Sequence, residues 1–311
     1  MPAPERIPPE RLTPVEPSSP LAPGSGDGGA TTGTVDPLAL LTTGELTVRG
    51  QVREASNAVL LCSVTPAGGP GGDPGAGGGS AGAQVAADCV YKPVAGERPL
   101  WDFPDGTLAA REVAAYEISA ATGWDLVPPT VLRDGPYGEG MVQLWIGGDP
   151  AASLLALVDG EEPGEGWKAV GLAQVDEDRT ALLVHADDPR LRRLAVLDAV
   201  INNGDRKGGH LLPAPDGRLY AIDHGVTFHT DDKLRTLLWG WAGEPLTEEA
   251  LEVLARLDAA LAPGEPLAGR LAPLLTPAEI TALRDRVAGL LKSARHPEPS
   301  GEWPAIPWPP V

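Results

Sequence analysis

Apolar and polar positions divide this chain into an alternating part and a helical part. Residues 45–52 (ELTVRGQV) alternate as a half-buried strand does, 58–64 (AVLLCSV) predict a second strand and 88–92 (DCVYK) a third. Residues 107–122 predict a helix closed by Gly123, with Ala109, Val113, Tyr116 and Ala120 as its inner stripe and Glu112 at the border. Val131-Leu132 and residues 141–146 predict strands around a turn at Asp134-Gly135-Pro136. After Gly147-Gly148-Asp149-Pro150 the pattern turns helical. Leu191, Leu194, Ala195, Asp198 and Ile201 mark a helix that runs into Asp205. Thr247 and Thr276 cap two late helices, the second with Pro277 in its first turn and Glu279 at capping-box spacing. Strands first and helices second predict an α+β chain with two lobes.

Three segments stand outside this pattern. Residues 1–36 are rich in Pro, Ser, Gly and Thr, lack apolar periodicity and are predicted to be disordered. The run within 68–82 is almost all Gly, Pro and Ala. No Gly-Lys-Ser/Thr ends it and no helix follows, so it is read as a flexible hairpin insertion rather than a phosphate loop. Residues 296–311 carry six prolines, which exclude a helix, although Trp303 and Trp308 are suited to packing.

Composition narrows the function classes. A chain of 311 residues, 42% hydrophobic, holds one large or two small domains. No apolar run reaches the roughly 18 residues of a membrane helix, and the N-terminus does not read as a signal sequence. Cys62 and Cys89 are too few for a disulfide framework. They read as buried free thiols in a reducing, cytoplasmic setting. A formal net charge of −19 argues against nucleic acid or an anionic membrane as partner. The Gly, Pro and Arg bias suggests a GC-rich bacterial genome.

Candidate chemistry lies in Asn202-Asn203-Gly204-Asp205-Arg206-Lys207-Gly208-Gly209-His210 and in Tyr220-Ala221-Ile222-Asp223-His224-Gly225. An Asp-Arg pair ends an apolar helix, and a second Asp closes a short apolar strand before x-Gly. In phosphoryl transfer one carboxylate orients or deprotonates the acceptor hydroxyl and another holds the metal that bridges the nucleotide phosphates. Lys92 is the odd residue in its strand and admits two readings. One is a phosphate-binding lysine held by a helix carboxylate, Glu112 or its rival Glu117. The other is an edge-strand lysine that blocks aggregation. His185, Asp187, Asp188, His210, Asp223 and His224 form a rival, metallohydrolase-like set, but no His-x-His or His-Glu-x-x-His spacing supports it. His224 and His229 read as structural.

These motifs resemble the phosphatidylinositol kinase-like branch of the protein-kinase fold, especially type II phosphatidylinositol 4-kinases and HipA-type toxin kinases. That branch writes Asp-Arg-x-x-x-Asn for its catalytic loop and Asp-x-Gly for its metal strand, and Asp205-Arg206 and Asp223-His224-Gly225 match. Glu112-Val113-Ala114-Ala115-Tyr116 resembles the helix that supplies the lysine's glutamate, and Val127-Pro128-Pro129-Thr130 the strand entry after it. Ser56-Asn57 falls at the nucleotide-covering turn and Gln143-Leu144-Trp145 at the adenine hinge. The chain is also similar, over about 44–295, to an actinobacterial family described as kinase-like. One departure stands out. The branch's metal-binding Asn falls at His210, so the site uses Mn²⁺, or holds one metal through Asp223 alone, or is dead.

The resemblance implies a two-lobed protein-kinase-like fold, with a strand-rich N-lobe over 37–146 and a helical C-lobe over 147–295. It implies transfer of phosphate from ATP, with Mg²⁺ or Mn²⁺, to a hydroxyl. Asp205 and Arg206 are the implied catalytic residues, Asp223 and His210 the metal residues. Lys92, Glu112, Ser56, Asn57, Gln143 and Trp145 serve the nucleotide. The acidic balance favours a protein or soluble small molecule over a lipid as acceptor. The alternative is an inactive pseudokinase that binds nucleotide or acts as a scaffold.

Overall fold

The computed structural model describes residues 36–52, 57–67, 86–147, 154–160, 162–176, 179–301 and 304–307. The predicted disordered N-terminal segment, the 68–82 insertion, Ser56, Trp303 and Trp308 lie outside the described residues. The chain divides into two compact units. One holds residues up to 113 together with 128–147, the other 114–127 together with 148–311.

The first unit is built on an antiparallel sheet. Helix α1 (Pro37–Thr43) precedes strands β1 (Glu45–Gln51), β2 (Leu60–Thr65) and β3 (Ala87–Pro93). Helix α2 (Leu108–Thr122) follows, then β4 (Thr130–Gly135) and β5 (Gly138–Leu144). The spatial order is β1-β2-β3-β5-β4, so β3 is the middle strand. Leu40 and Leu41 of α1 pack with Leu60, Cys62, Val64, Cys89, Tyr91 and Val142. Burying each such side chain contributes roughly 1.5–3 kcal/mol. Cys62 and Cys89 face each other across β2 and β3 as free thiols. Burial pushes the Cys62 thiol up to about 12 and that of Cys89 higher still.

Close approach of β5 to β3 requires glycine at one position. A Cβ on Gly140 would lie 2.5 Å from the Lys92 carbonyl oxygen and 2.7 Å from Pro93 Cα, both backbone atoms that cannot rotate away. Gly140→Ala is therefore expected to destabilise the first unit by about 1–3 kcal/mol. An unchanged urea midpoint would show that the strand pair has slack the geometry denies.

Three-stranded order returns in the second unit, with β6 (Leu155–Val158), β7 (Trp167–Asp176) and β8 (Arg179–Ala186) arranged β6-β8-β7. This corrects the expectation that the pattern turns helical after residue 150. The segments are rich in Leu and Ala, and residues 181–185 of the central strand are all buried, so no alternation marks them as strand. Helix α3 (Pro189–Ile201) follows, then a short hairpin of β9 (Leu211–Pro213) and β10 (Leu219–Ala221), and helices α4 (Glu248–Ala260), α5 (Pro266–Leu271) and α6 (Pro277–Ser293). The fold class is α+β, with a sheet-rich N-terminal part and a mainly helical C-terminal part. The caps form as the sequence predicts. Thr247 Oγ1 accepts from the Ala250 amide at 3.2 Å, and Thr276 and Glu279 make a capping box behind Pro277. Among the described residues no helix is long and apolar enough to cross a membrane.

Two buried histidines give this unit an acid limit. His185 Nε2 accepts from the Gly240 amide at 3.1 Å, and its Nδ1 lies 2.9 Å from the Ala186 oxygen. Arg192 Nε donates to His296 Nε2 at 3.3 Å. Burial lowers both pKa values, that of His296 to about 4. The unfolded chain protonates these rings near their ordinary value of about 6.5, the folded chain only below it. His210, in the same unit, is lowered likewise, so stability is intact above pH 6.5 and falls between there and pH 4 as unfolding takes up to three protons. A thermal midpoint that stays level down to pH 4.5 would contradict this.

Candidate functional site

Lys92 stands on the middle strand, opposite Met141 of β5, so it guards no edge and the edge-strand reading is excluded. Its Nζ lies 2.6 Å from Glu112 Oε1, with side chains 19% and 2% exposed. The start of α2 is pinned so that Glu112 points where it does. Glu97 accepts from the amides of Leu108 and Ala109 at 3.1 and 2.7 Å, acting as a cap from a distant residue. Arg111 is 2% exposed and lies over the Phe103 ring at 4.7 Å. The rival Glu117 accepts instead from Arg270 Nε at 2.7 Å. The predicted inner stripe of α2 is also too narrow. Ala120 is exposed, while Ala114, Ala115, Ile118 and Ser119 are fully buried.

The nucleotide-side residues at the turn and hinge divide. Asn57 Oδ1 accepts from the Arg98 amide at 2.9 Å, which ties the turn to the segment after β3. Gln143 is 3% exposed and its amide donates to Thr130 Oγ1 at 2.9 Å, so its side chain joins β4 to β5. A nucleotide contact at Gln143 would therefore fall to its backbone. Trp145 is half-buried and its amide donates to the Asp88 oxygen at 3.0 Å.

In the second unit, α3 ends at Asn202 in the left-handed conformation (φ 52°). The Asn202 amide donates to the His229 and Asp231 oxygens at 2.9 and 2.7 Å, and its oxygen accepts from the Lys233 amide at 3.0 Å. Asn203 Oδ1 accepts from the Asp205 amide at 2.9 Å and so turns the chain at Asp205. Asp205 is then held on both sides, by Arg235 at its Oδ1 and by Lys207 at its Oδ2, each at 3.0 Å. The carboxylate has one orientation, and it is about a quarter exposed.

Arg206 behaves otherwise than the motif implies. It is 0% exposed, and it pairs with an equally buried Asp198 on α3 at 2.9 Å. Its Nη1 donates to the Ile222 oxygen at 2.9 Å and its Nη2 lies 2.6 Å from His224 Nε2. No group of Arg206 faces solvent, which does not fit the contact with reacting atoms that a catalytic residue makes. Asp198 is the residue that sequence reasoning missed. The available signal was a carboxylate on an otherwise apolar helix stripe.

Asp223 adopts φ 61°, a left-handed conformation that Asp tolerates better than most residues, and its side chain is half-exposed. His210 Nε2 lies 3.4 Å from Asp223 Oδ2. The Lys207 amide donates to His210 Nδ1 at 3.4 Å, which places the proton of the neutral ring on Nε2, toward Asp223. Burial lowers the His210 pKa to about 4, with Asp223 opposing the fall. A metal ion at Nε2 would have to displace that proton, so metal binding at His210 would release a proton. Among the described residues no group of three His, Cys, Asp or Glu side chains gathers around one point. Asp223 still fits a Mg²⁺ or Mn²⁺ ion carried on nucleotide phosphates, since such ions use one or two protein carboxylates.

The metallohydrolase set is not assembled. Asp187 accepts from Trp241 Nε1 at 3.1 Å, Asp188 caps α3, and His185 is engaged at both nitrogens. His229 Nδ1 accepts from the Asp231 amide at 2.9 Å.

No family model matches the chain. Protein Rv2133c of Mycobacterium tuberculosis is 48% identical over 283 residues, which span 88% of this chain and 95% of that protein. Phosphatidylinositol 4-kinase gamma 3 of Arabidopsis thaliana is 35% identical over 77 residues, 22% of this chain and 13% of that kinase. Among solved structures, a hydra Fam20 with sugar aligns at TM-score 0.44 and 13% identity, over 83% of this chain and 86% of that one. The Helicobacter pylori proinflammatory kinase CtkA aligns at TM-score 0.42 and 12% identity, over 82% and 95%.

Proposed function

This chain belongs to the family of protein Rv2133c, and we propose, on the site's own residues, that it is an ATP-dependent phosphotransferase of protein-kinase-like fold, acting on a hydroxyl of a protein or soluble small molecule. The observation that carries the reading is the ion pair of Lys92 and Glu112, on the middle strand of the first unit and on the helix that follows it. Glu112 is nearly fully buried, and a lysine held by such a carboxylate at one fixed position is suited to binding nucleotide phosphate. The local likeness to a phosphatidylinositol 4-kinase supports the same chemistry. The net charge of −19 supports a soluble acceptor over an anionic lipid.

Each residue then has a task. Lys92 contacts phosphate and Glu112 fixes its ammonium. Asp205, held by Arg235 and Lys207, orients the acceptor hydroxyl and takes its proton. Asp223 would hold the divalent ion, which when bound neutralises phosphate charge. His210 turns its Nε2 proton toward Asp223.

A second reading, a nucleotide-binding module without turnover, is favoured by His210 itself, because an imidazole stands where a metal-binding amide is expected. The test is a thermal-shift titration with ATP in Mg²⁺ and in Mn²⁺, for the wild type and for His210→Asn. Stabilisation by ATP with either metal supports a nucleotide site, and a gain in Mg²⁺ response in His210→Asn assigns the missing oxygen ligand to that position. No shift with either metal would leave neither reading standing.

A further inference from the structure

The charged network behind Asp205 reaches Asp223 as well. The Arg206 guanidinium grips the chain on both sides of that residue. Nη1 donates to the carbonyl of Ile222, and Nη2 lies 2.6 Å from His224 Nε2. An arginine only donates, so His224 accepts at Nε2 and is neutral there. Between the two grips Asp223 stands at φ 61°. A left-handed non-glycine residue persists where its surroundings enforce it. The guanidinium is itself immobilised. Asp198 meets Nε at 3.1 Å and Nη2 at 2.9 Å, and it also accepts from Asn203 Nδ2 at 3.0 Å and Thr236 Oγ1 at 3.3 Å. Asn203 in turn fixes the Asp205 amide.

We propose that Asp198 and Arg206 form a clamp that holds Asp223 in its left-handed conformation, the one in which it would meet a metal ion, and ties it to the loop that carries Asp205. Both are positioning residues, acting through Asp223. The functional side of this inference rests on the phosphotransferase reading, whereas the clamp itself rests on geometry alone. The planar fork matters because it engages Asp198, the 222 carbonyl and the 224 ring at fixed angles. A lysine would keep the charge and lose the two-sided grip.

The test uses the full chain in three forms: wild type, Arg206→Lys, and the double variant Asp198→Leu/Arg206→Met. The double variant removes both buried charges together, which avoids leaving one uncompensated. Three quantities are read: the thermal midpoint, the Mg²⁺ concentration needed for ATP binding, and hydrogen exchange of amides 222–226. The double variant is expected to unfold within a few degrees of wild type, yet to need about 10–100-fold more Mg²⁺, the usual loss when an outer partner of a metal ligand is removed. Its 222–226 amides should exchange faster. Arg206→Lys, which keeps a charge opposite Asp198, should show the same two losses if the double variant does not fold. Wild-type Mg²⁺ dependence and protection in either folded variant would overturn the clamp. If wild-type ATP binding proves independent of metal, the phosphotransferase reading fails, and exchange alone decides. Faster exchange at 222–226 then upholds the clamp, and unchanged exchange sinks it.

Discussion

Asp205→Ala is expected to lower phosphoryl transfer by ~10²–10⁴-fold, the range for a lost general base, while ATP affinity stays within a few-fold. The reason is the separation of tasks. Asp205 acts on the acceptor hydroxyl in the transition state, whereas ground-state binding of ATP is assigned to Lys92 and Asp223. The substitution also releases Arg235 and Lys207 from their 3.0 Å pairs with the carboxylate. Both are about a quarter exposed, so water can satisfy them and the fold should survive. Single-turnover transfer and equilibrium ATP binding, measured on the same preparation, separate the two effects. Loss of binding in parallel with transfer would mean that Asp205 holds the nucleotide rather than the acceptor.

The second large effect lies at the Lys92–Glu112 pair. Lys92→Met is expected to weaken ATP binding and to be the more destabilising change, because it takes the 2.6 Å partner from a carboxylate only 2% exposed. Glu112→Leu leaves an ammonium that is 19% exposed and that water can reach, and costs less. Removing one member of a buried pair costs about 3–5 kcal/mol, less here to the extent that water reaches the lysine. The double variant Lys92→Met/Glu112→Leu should recover most of the stability and none of the ATP affinity. Denaturant midpoints with ATP titrations across the four proteins test this. Recovery of ATP affinity in the double variant would show that the pair is structural only.

Much of this arrangement was legible in the sequence, because local signals mark it. Strands near Lys92, the caps at Thr247 and Thr276, and the two Asp motifs each carry a short-range pattern. Residue spacing alone leaves Glu117 as a rival to Glu112; the 2.6 Å contact to Lys92 and the pairing of Glu117 with Arg270, distant in sequence, separate them. The β6-β8-β7 sheet was illegible because its central strand is covered on both faces, which erases the alternation that reveals strands. Arg206 read as catalytic because the motif places it beside Asp205. Its burial depends on Asp198 and on the chain at 222–224, partners that periodicity cannot identify. Position in the motif makes His210 a ligand candidate, and nothing in the sequence marks the Lys207 amide that meets its Nδ1. Glu97, capping α2 from outside the helix, left no signal at capping spacing.

The central claim is phosphoryl transfer from ATP at the site carrying Asp205 and Asp223. The most direct measurement is release and transfer of the terminal phosphate of γ-labelled ATP by the purified full chain in Mg²⁺ or Mn²⁺, beside Asp205→Ala and Asp223→Ala. The account predicts metal-dependent turnover by the wild type, lost in both variants, with ATP binding kept in Asp205→Ala. Equal turnover by all three proteins, or none by a wild type that binds ATP, would contradict it.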